Sequence, residues 1–185
     1  MRLLMLMVML PLTLLQGCSS NPLSPTGEAV YYALEQDTRL RVWADACQEL
    51  SPDMRQQALL ARQNWWQRNG TFVEGADFGL AYDLVQVTDE RTETGARIAM
   101  ALTWNIVAEA EADLQKRLQG DTGKVCRDEL AGYNNGARDL RENDRLYSEL
   151  VTLQQRLQRE GTDLNLRRAA VAQKSGKVYG RSFYV

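Results

Sequence analysis

The chain of 185 residues contains no histidine. Histidine is the base of Ser-His-Asp and Cys-His catalytic sites and the commonest metal ligand among side chains. Both kinds of catalytic site, and histidine-ligated zinc, are therefore excluded. The charge is also nearly balanced, with 22 basic and 24 acidic residues and a net charge of −2. Because a slight negative charge attracts neither nucleic acid nor anionic lipid in bulk, we predict no nucleic-acid partner.

Long apolar runs are scarce, and the clearest one stands at the very start. Met1-Arg2 is followed by thirteen residues, 3–15, that are apolar except for Pro11 and Thr13. As a helix this run would be about 20 Å long, which is short of the roughly 30 Å of a bilayer core. A basic start followed by a short apolar run is typical of a secretory signal peptide.

The residues that close this run, LQGC at positions 15–18, resemble a bacterial lipobox, although Gln16 is an uncommon residue there. The resemblance implies that residues 1–17 are removed and that Cys18 becomes a lipidated N-terminus with acyl chains such as palmitate. Ser19, in place of the aspartate of inner-membrane retention, favours the outer membrane and a periplasm-facing protein. Two alternatives remain. One is an ordinary signal peptide with unmodified Cys18, and the other is a cytoplasmic protein with an apolar first helix.

Cysteine is scarce as well, with three in the chain. If Cys18 carries lipid, Cys47 and Cys126 remain as a pair. A cysteine pair in the oxidising periplasm predicts a disulfide. The alternative is two separate buried thiols that pack as small apolar residues.

Apolar residues recur at helical spacing along most of the chain, which predicts an all-α fold. We expect a four- or five-helix bundle stapled by the disulfide, with helices at 28–50, 52–68, 94–118 and 124–160. Asn69-Gly70 and Gly161 are predicted helix ends, residues 71–87 a short helix or an irregular packed segment, and Asn134 to Gly136 a kink or break. In the third helix, one apolar side is expected to hold Met100, Trp104, Val107, Ala110, Leu114 and Leu118.

The predicted organisation has four parts: signal peptide 1–17, lipidated tether 18–27, helical bundle 28–161 and a basic tail 162–185. The tail carries five basic residues and one acidic residue. We expect a short helix near its start and an extended end. Contact with acidic lipid headgroups, or simple solvation, is favoured over binding to nucleic acid because aromatic residues are not interleaved with these charges.

Motifs for catalysis or metal binding are weak. GDTGK at 120–124 lacks the spacing of a phosphate-binding loop. Glu109, Glu111 and Asp113 alternate along a helix, so adjacent members of the series point about 200° apart and cannot share one ion. We therefore predict no catalytic residue, no cofactor and no metal.

The most suggestive internal stretch is ARQNWWQRNG, residues 61–70. Trp65 continues an apolar helix face and is expected in the core, whereas Trp66 diverges from it by about 100°. An exposed aromatic side chain beside arginine is typical of protein-binding hot spots. The candidate protein-binding residues are Arg62, Trp66 and Asn69. The alternative is that Trp66 is packed beneath the segment that follows it.

These features together predict a non-enzymatic outer-membrane lipoprotein that faces the periplasm and binds another envelope protein. Pilotins also combine a lipid anchor, helices and one disulfide, and the chain is similar to them in these features. It carries no defining pilotin motif. Two alternatives stay open. One is an inhibitor or immunity lipoprotein, and the other is a carboxylate-dependent enzyme of cell wall or lipid.

Overall fold

The computed structural model describes the backbone of residues 23–87 and 92–175, and the side chains of residues 23–82 and 97–161. This part of the chain forms five α-helices and one 3-10 turn at Leu140–Glu142, with no strand. The predicted all-α fold is confirmed. The helices are α1 Pro25–Gln48, α2 Pro52–Val87, α3 Thr92–Arg117, α4 Thr122–Asn135 and α5 Asp144–Ser175.

Helices α1 and α2 form an antiparallel hairpin with a very short connection, residues 49–51. Ser51 caps α2 by accepting a hydrogen bond from the backbone N–H of Met54 at 3.1 Å, and Pro52 supplies the preset backbone of a first helical position. The end of the molecule where α1 begins is called the tether end below. The end where α1 gives way to α2 is called the disulfide end.

Helix α3 runs parallel to α1. Near the start of α1, the hydroxyl of Tyr31 donates to the carboxylate of Glu109, in the second half of α3, at 2.5 Å. Further along both helices, the guanidinium of Arg117 lies 4.8 Å from the centre of the Trp43 ring. Because residue numbers rise together in the two contacts, α3 passes from the tether end to the disulfide end.

Helices α4 and α5 together complete the bundle. They are separated at Gly136, which has a φ of +91° in the left-handed region that favours glycine. The predicted break near Asn134 to Gly136 is therefore confirmed. Ring contacts from α2 to α5 join Phe72 to Tyr147, with 5.3 Å between centroids, and Tyr82 to Arg156 at 3.7 Å. Helix α5 thus follows α2 towards the tether end.

A disulfide joins Cys47, in the last turn of α1, to Cys126, in the first half of α4, with 5.7 Å between the Cα atoms. The predicted disulfide is confirmed. It links positions 79 residues apart. In the chain-entropy description, a loop of that length corresponds to about 4 kcal/mol of stabilisation.

The main core extends through both halves of the bundle, from Ala29 near the tether end to Cys47 at the disulfide. Its largest fully buried side chains include Trp43, Trp65 and Tyr133, and the Trp65 and Tyr133 rings meet edge to face at 6.4 Å. A second and much smaller cluster, formed by Phe78 and Ala81, lies further along α2 towards the tether end. The bulkiest buried side chains are therefore those of the disulfide half.

The predicted helix end at Asn69-Gly70 is wrong, because α2 continues unbroken to Val87. Asn69 is buried and donates to the carbonyl oxygen of Trp65 at 2.9 Å, one turn earlier. A Cβ atom at residue 70 would overlap the six-membered ring of Trp66. Gly70 is therefore a packing glycine within a helix, and tertiary contacts override its tendency to end one.

The predicted helix end at Gly161 is also wrong. The backbone of α5 remains helical to Ser175, through the position of the separate short helix expected at the start of the tail. The extended end expected for the last residues, and the lipidation site Cys18, lie outside the described residues.

The predicted apolar side of α3 is only partly buried. Ala110 is buried and Leu114 packs on the core, as expected, together with Ile106. Met100 and Trp104, which were expected on the same side, are exposed. In the first half of α3, Met100 and Trp104 therefore face away from the core.

Candidate functional site

The candidate protein-binding residues lie on one face of α2, next to α1. Leu59, Arg62 and Trp66 follow the spacing i, i+3, i+7, which places them in one row along the helix. Asp45 and Asp37 of α1 stand opposite this row. We call these five residues the α1–α2 surface.

Leu59 is the most exposed member of the row, with 58% of its surface accessible. One turn further along α2, Nη1 of Arg62 pairs with Oδ1 of Asp45 at 3.2 Å. Both charged side chains are largely solvent-exposed, so the pair contributes little to stability. The Arg62–Asp45 pair places two opposite charges beside the apolar side chain of Leu59.

Trp66 is half-buried and packs against the main core. Its ring meets the Trp65 ring edge to face, with 6.5 Å between centroids and an angle of 82° between planes. Gly70 gives the ring room to lie flat along α2. Trp66 therefore combines a fixed orientation with partial exposure, the combination expected of an aromatic anchor at an interface.

Asp37 is the partly buried carboxylate of this surface. Burial raises the pKa of Asp37, and the Arg41 guanidinium and the Trp66 side chain oppose that rise. Nε of Arg41 lies 3.2 Å from Oδ2 of Asp37. Because burial is the largest effect, the charged form of Asp37 is less favoured here than in water.

Asn69 is not available to a partner, contrary to the prediction. Only 2% of its surface is accessible. Its amide nitrogen donates to Oδ1 of Asp139 at 2.9 Å, and its oxygen accepts from the backbone N–H of Leu140 at 2.8 Å. The side chain instead fastens α2 to the connection between α4 and α5. The candidate surface therefore keeps Arg62 and Trp66 and loses Asn69.

The same connection holds a buried carboxylate, Asp139, of which 1% is accessible. Arg68 donates through Nε to both of its oxygens, at 2.8 and 3.1 Å, and through Nη2 to the carbonyl of Tyr133 at 2.6 Å. Nearby, Nε1 of Trp65 donates to the carbonyl of Arg138 at 2.9 Å. These bonds satisfy a buried charge and fix the turn that follows α4.

Glu129 is the other buried carboxylate of the described part of the chain. It pairs with Arg117 of α3 at 2.7 Å and with Arg138 at 3.1 Å. Like Asp139, it joins separate elements through arginine. Both buried acids thus serve to hold helices together.

No group of three acidic or cysteine side chains among the described residues is placed to hold a metal ion. Within the same residues, no helix combines the length and the apolar character needed to cross a membrane. No family model, curated protein or solved structure matches the chain.

The sequence reasoning identified Arg62 and Trp66 but missed Leu59 and the two α1 aspartates. Leu59 could have been found, since it stands three residues before Arg62 and seven before Trp66 on a face that is otherwise polar. Asp37 and Asp45 could not, because their position opposite this row depends on how α1 packs against α2.

Proposed function

We propose that this protein is a non-enzymatic lipoprotein, anchored through acylated Cys18 to the periplasmic face of the outer membrane, that binds another envelope protein through the α1–α2 surface. The lipobox-like residues 15–18 support the anchor. The partner would place an apolar side chain over Leu59 and a polar or charged group beside the Arg62–Asp45 pair.

The observation that carries this proposal is the exposed Leu59 in one row with Arg62 and half-buried Trp66. Tryptophan and arginine are enriched at the energetic centres of protein interfaces, and an adjacent apolar group excludes water from them. The row lies beside the bulkiest part of the main core, where Trp65 of α2 packs edge to face against Tyr133 of α4. A rigid surface loses little entropy on binding.

The position of the surface also suits a tethered protein. Leu59 is seven residues into α2, about 10 Å from the disulfide end of that helix. Helix α1, which follows the tether, begins at the opposite end. A chain anchored before α1 would therefore present the α1–α2 surface away from its membrane.

This surface would serve an accessory role, such as pilotin-like delivery of a partner, and an inhibitor or immunity role in the same way. The two roles differ in what the partner does. A carboxylate-dependent enzyme would need Asp or Glu side chains free to exchange protons. Glu129 and Asp139, the buried acids, are both held by arginine. We therefore favour the binding roles over the enzymatic one.

The test isolates the full-length acylated protein from membranes with its bound partner. Leu59→Ser and Arg62→Glu, each at a solvent-accessible side chain, are expected to reduce partner recovery at least tenfold, because they alter the centre of the interface. Leu50→Ser is the matched control, since Leu50 is also an exposed apolar residue but lies outside the α1–α2 surface, and it should leave recovery unchanged.

Mass spectrometry of the mature N-terminus tests the anchor separately, with acyl chains expected on Cys18. A partner recovered equally well with Leu59→Ser and Arg62→Glu would place binding elsewhere on the molecule. A free amine at another N-terminal residue would contradict the anchor.

A further inference from the structure

The first half of α3 exposes apolar side chains that have no place in the core. Trp104 has 70% of its surface accessible and Met100 has 52%. Ile106 and Ala110, which are buried, point in roughly the opposite direction, since they follow Trp104 by two and six residues. Trp104 therefore stands on the outer face of α3, at the point furthest from the bundle.

The apolar character of this outer face ends midway along α3. Ala101 and Ala108, one turn either side of Trp104, are also exposed, so the row through Trp104 is apolar over about two turns. Further along the same face stand Glu111 and Gln115, both exposed and polar. The exposed apolar side chains of α3 are thus confined to the part of this face nearer its start, where they could meet a less polar environment.

This apolar face lies at the tether end. Tyr31 of α1 contacts Glu109 of α3, and the two helices are parallel. Trp104 precedes Glu109 by five residues, and Pro25 precedes Tyr31 by six, which are distances of about 7.5 and 9 Å along the helices. Trp104 is therefore nearly level with the start of α1, and Met100 lies beyond it.

The lipid anchor is within reach of the same place. Cys18 precedes Pro25 by seven residues, which span at most about 25 Å. That is twice the roughly 10–12 Å diameter of a helix, so the tether can bring the side of α3 to the bilayer. Leu23, just before α1, is itself an exposed apolar residue at this end.

Charge at the tether end fits an anionic surface. Helix α5 passes Tyr82 at Arg156 and continues for 19 more residues in the direction of α2. From residue 162 to its end at Ser175, this helix carries three basic residues and one acidic residue. A basic segment near a membrane is attracted to anionic headgroups, at about 1 kcal/mol for each basic residue near the surface.

We propose that the outer face of the first half of α3, centred on Trp104 and Met100, lies against the headgroup region of the membrane that holds the acyl chains of Cys18. This inference rests on the lipid anchor of the proposed function. Tryptophan prefers the boundary between headgroups and acyl chains, where its ring is buried and its N–H stays wet. The contact would orient the bundle, with the α1–α2 surface directed into the periplasm.

The test uses tryptophan fluorescence of the full-length acylated protein, reconstituted in vesicles of phosphatidylethanolamine and phosphatidylglycerol with brominated acyl chains. Bromine quenches only fluorophores that reach the bilayer. Trp43 and Trp65 have no accessible surface, so they report little. We expect quenching relative to unbrominated vesicles, its loss in Trp104→Phe and its retention in Trp66→Phe, a matched change at the α1–α2 surface.

Three results would overturn the inference while leaving an acylated Cys18 intact. The first is unchanged emission of Trp104 in brominated vesicles. The second is quenching that persists in Trp104→Phe. The third is a chemically crosslinked dimer that Trp104→Ser abolishes, which would make a second copy the occupant of this face. Mass spectrometry showing no acyl chain on Cys18 would instead overturn the anchor and this inference together.

Discussion

The disulfide half and the tether half of the bundle are built differently. The disulfide half has a broad core around Trp43 and Trp65, a covalent link and two arginine-held buried acids. In the tether half, the main core continues through small side chains such as Ala29 and Ala76, a second cluster forms at Phe78, and α3 turns Trp104 outward. The half that carries Leu59 and Arg62 is therefore fixed by bulky packed side chains and a covalent link, whereas the tether half leaves Trp104 and Met100 exposed.

The largest expected effect compares the two cores directly. Trp65→Ala should lower the free energy of unfolding by about 5 kcal/mol, because it empties the main core, whereas Phe78→Ala should lower it by about 3 kcal/mol. Trp65 also loses its hydrogen bond to the Arg138 carbonyl. Urea denaturation followed by circular dichroism measures both. Equal losses would mean that the two halves are packed equally well.

Removal of the disulfide tests the covalent part of the contrast. Cys47→Ala together with Cys126→Ala should cost about 4 kcal/mol, because the unfolded chain loses the constraint of a long closed loop. Adding a reductant to the wild-type protein should move its urea midpoint to that of the double variant. A double variant as stable as the oxidised wild type would contradict the assigned role of the disulfide.

The next effect concerns the buried charge after α4. Asp139→Asn should cost about 2 kcal/mol, because Arg68 loses its counter-charge while part of its guanidinium stays exposed. Asp128→Asn is the matched control. Asp128 forms an exposed pair with Lys124, and its loss should leave the urea midpoint unchanged. The interpretation fails if the two substitutions have the same effect.

The smallest expected effect is at Asp37 and depends on pH. Burial raises its pKa in the folded state, so its contribution to stability is present at low pH and is lost as the pH rises through that pKa. Asp37→Asn, which stays neutral, should therefore raise the melting temperature at neutral pH. The gain should shrink towards zero near the ordinary pKa of aspartate, at about pH 4.

Calorimetry across this pH range measures the difference in melting temperature between Asp37→Asn and the wild type. Asp45→Asn, at an exposed position on the same helix, should leave the melting temperature unchanged. A lower melting temperature for Asp37→Asn at neutral pH would mean that the pairing with Arg41 outweighs burial.

The helices and the disulfide were predictable because they follow from local periodicity and from the pairing of two cysteines. The helix ends at Gly70 and Gly161 were predicted wrongly for a physical reason. A glycine ends a helix only when nothing else holds the backbone, and at Gly70 the Trp66 ring fills the space beside it. Such contacts depend on the fold and are absent from local sequence.

The candidate surface shows the same limit. The polarity of Asn69 suggested exposure, but Asp139, seventy residues away in sequence, provides a buried partner for its amide. Trp104 fits the apolar period of α3, but that period cannot tell which face finds a neighbour. Spacing placed these residues on helices, and the arrangement of the helices decided which of them face out.

The central claim is that one molecule contacts a protein through the α1–α2 surface and lipid through the outer face of α3. A photo-crosslinking amino acid placed at position 59 or at position 104 of the full-length protein, in intact envelopes, tests both at once. Position 59 should give a discrete protein adduct that Arg62→Glu abolishes, and position 104 should give lipid adducts. Protein adducts at position 104 and none at position 59 would contradict the claim.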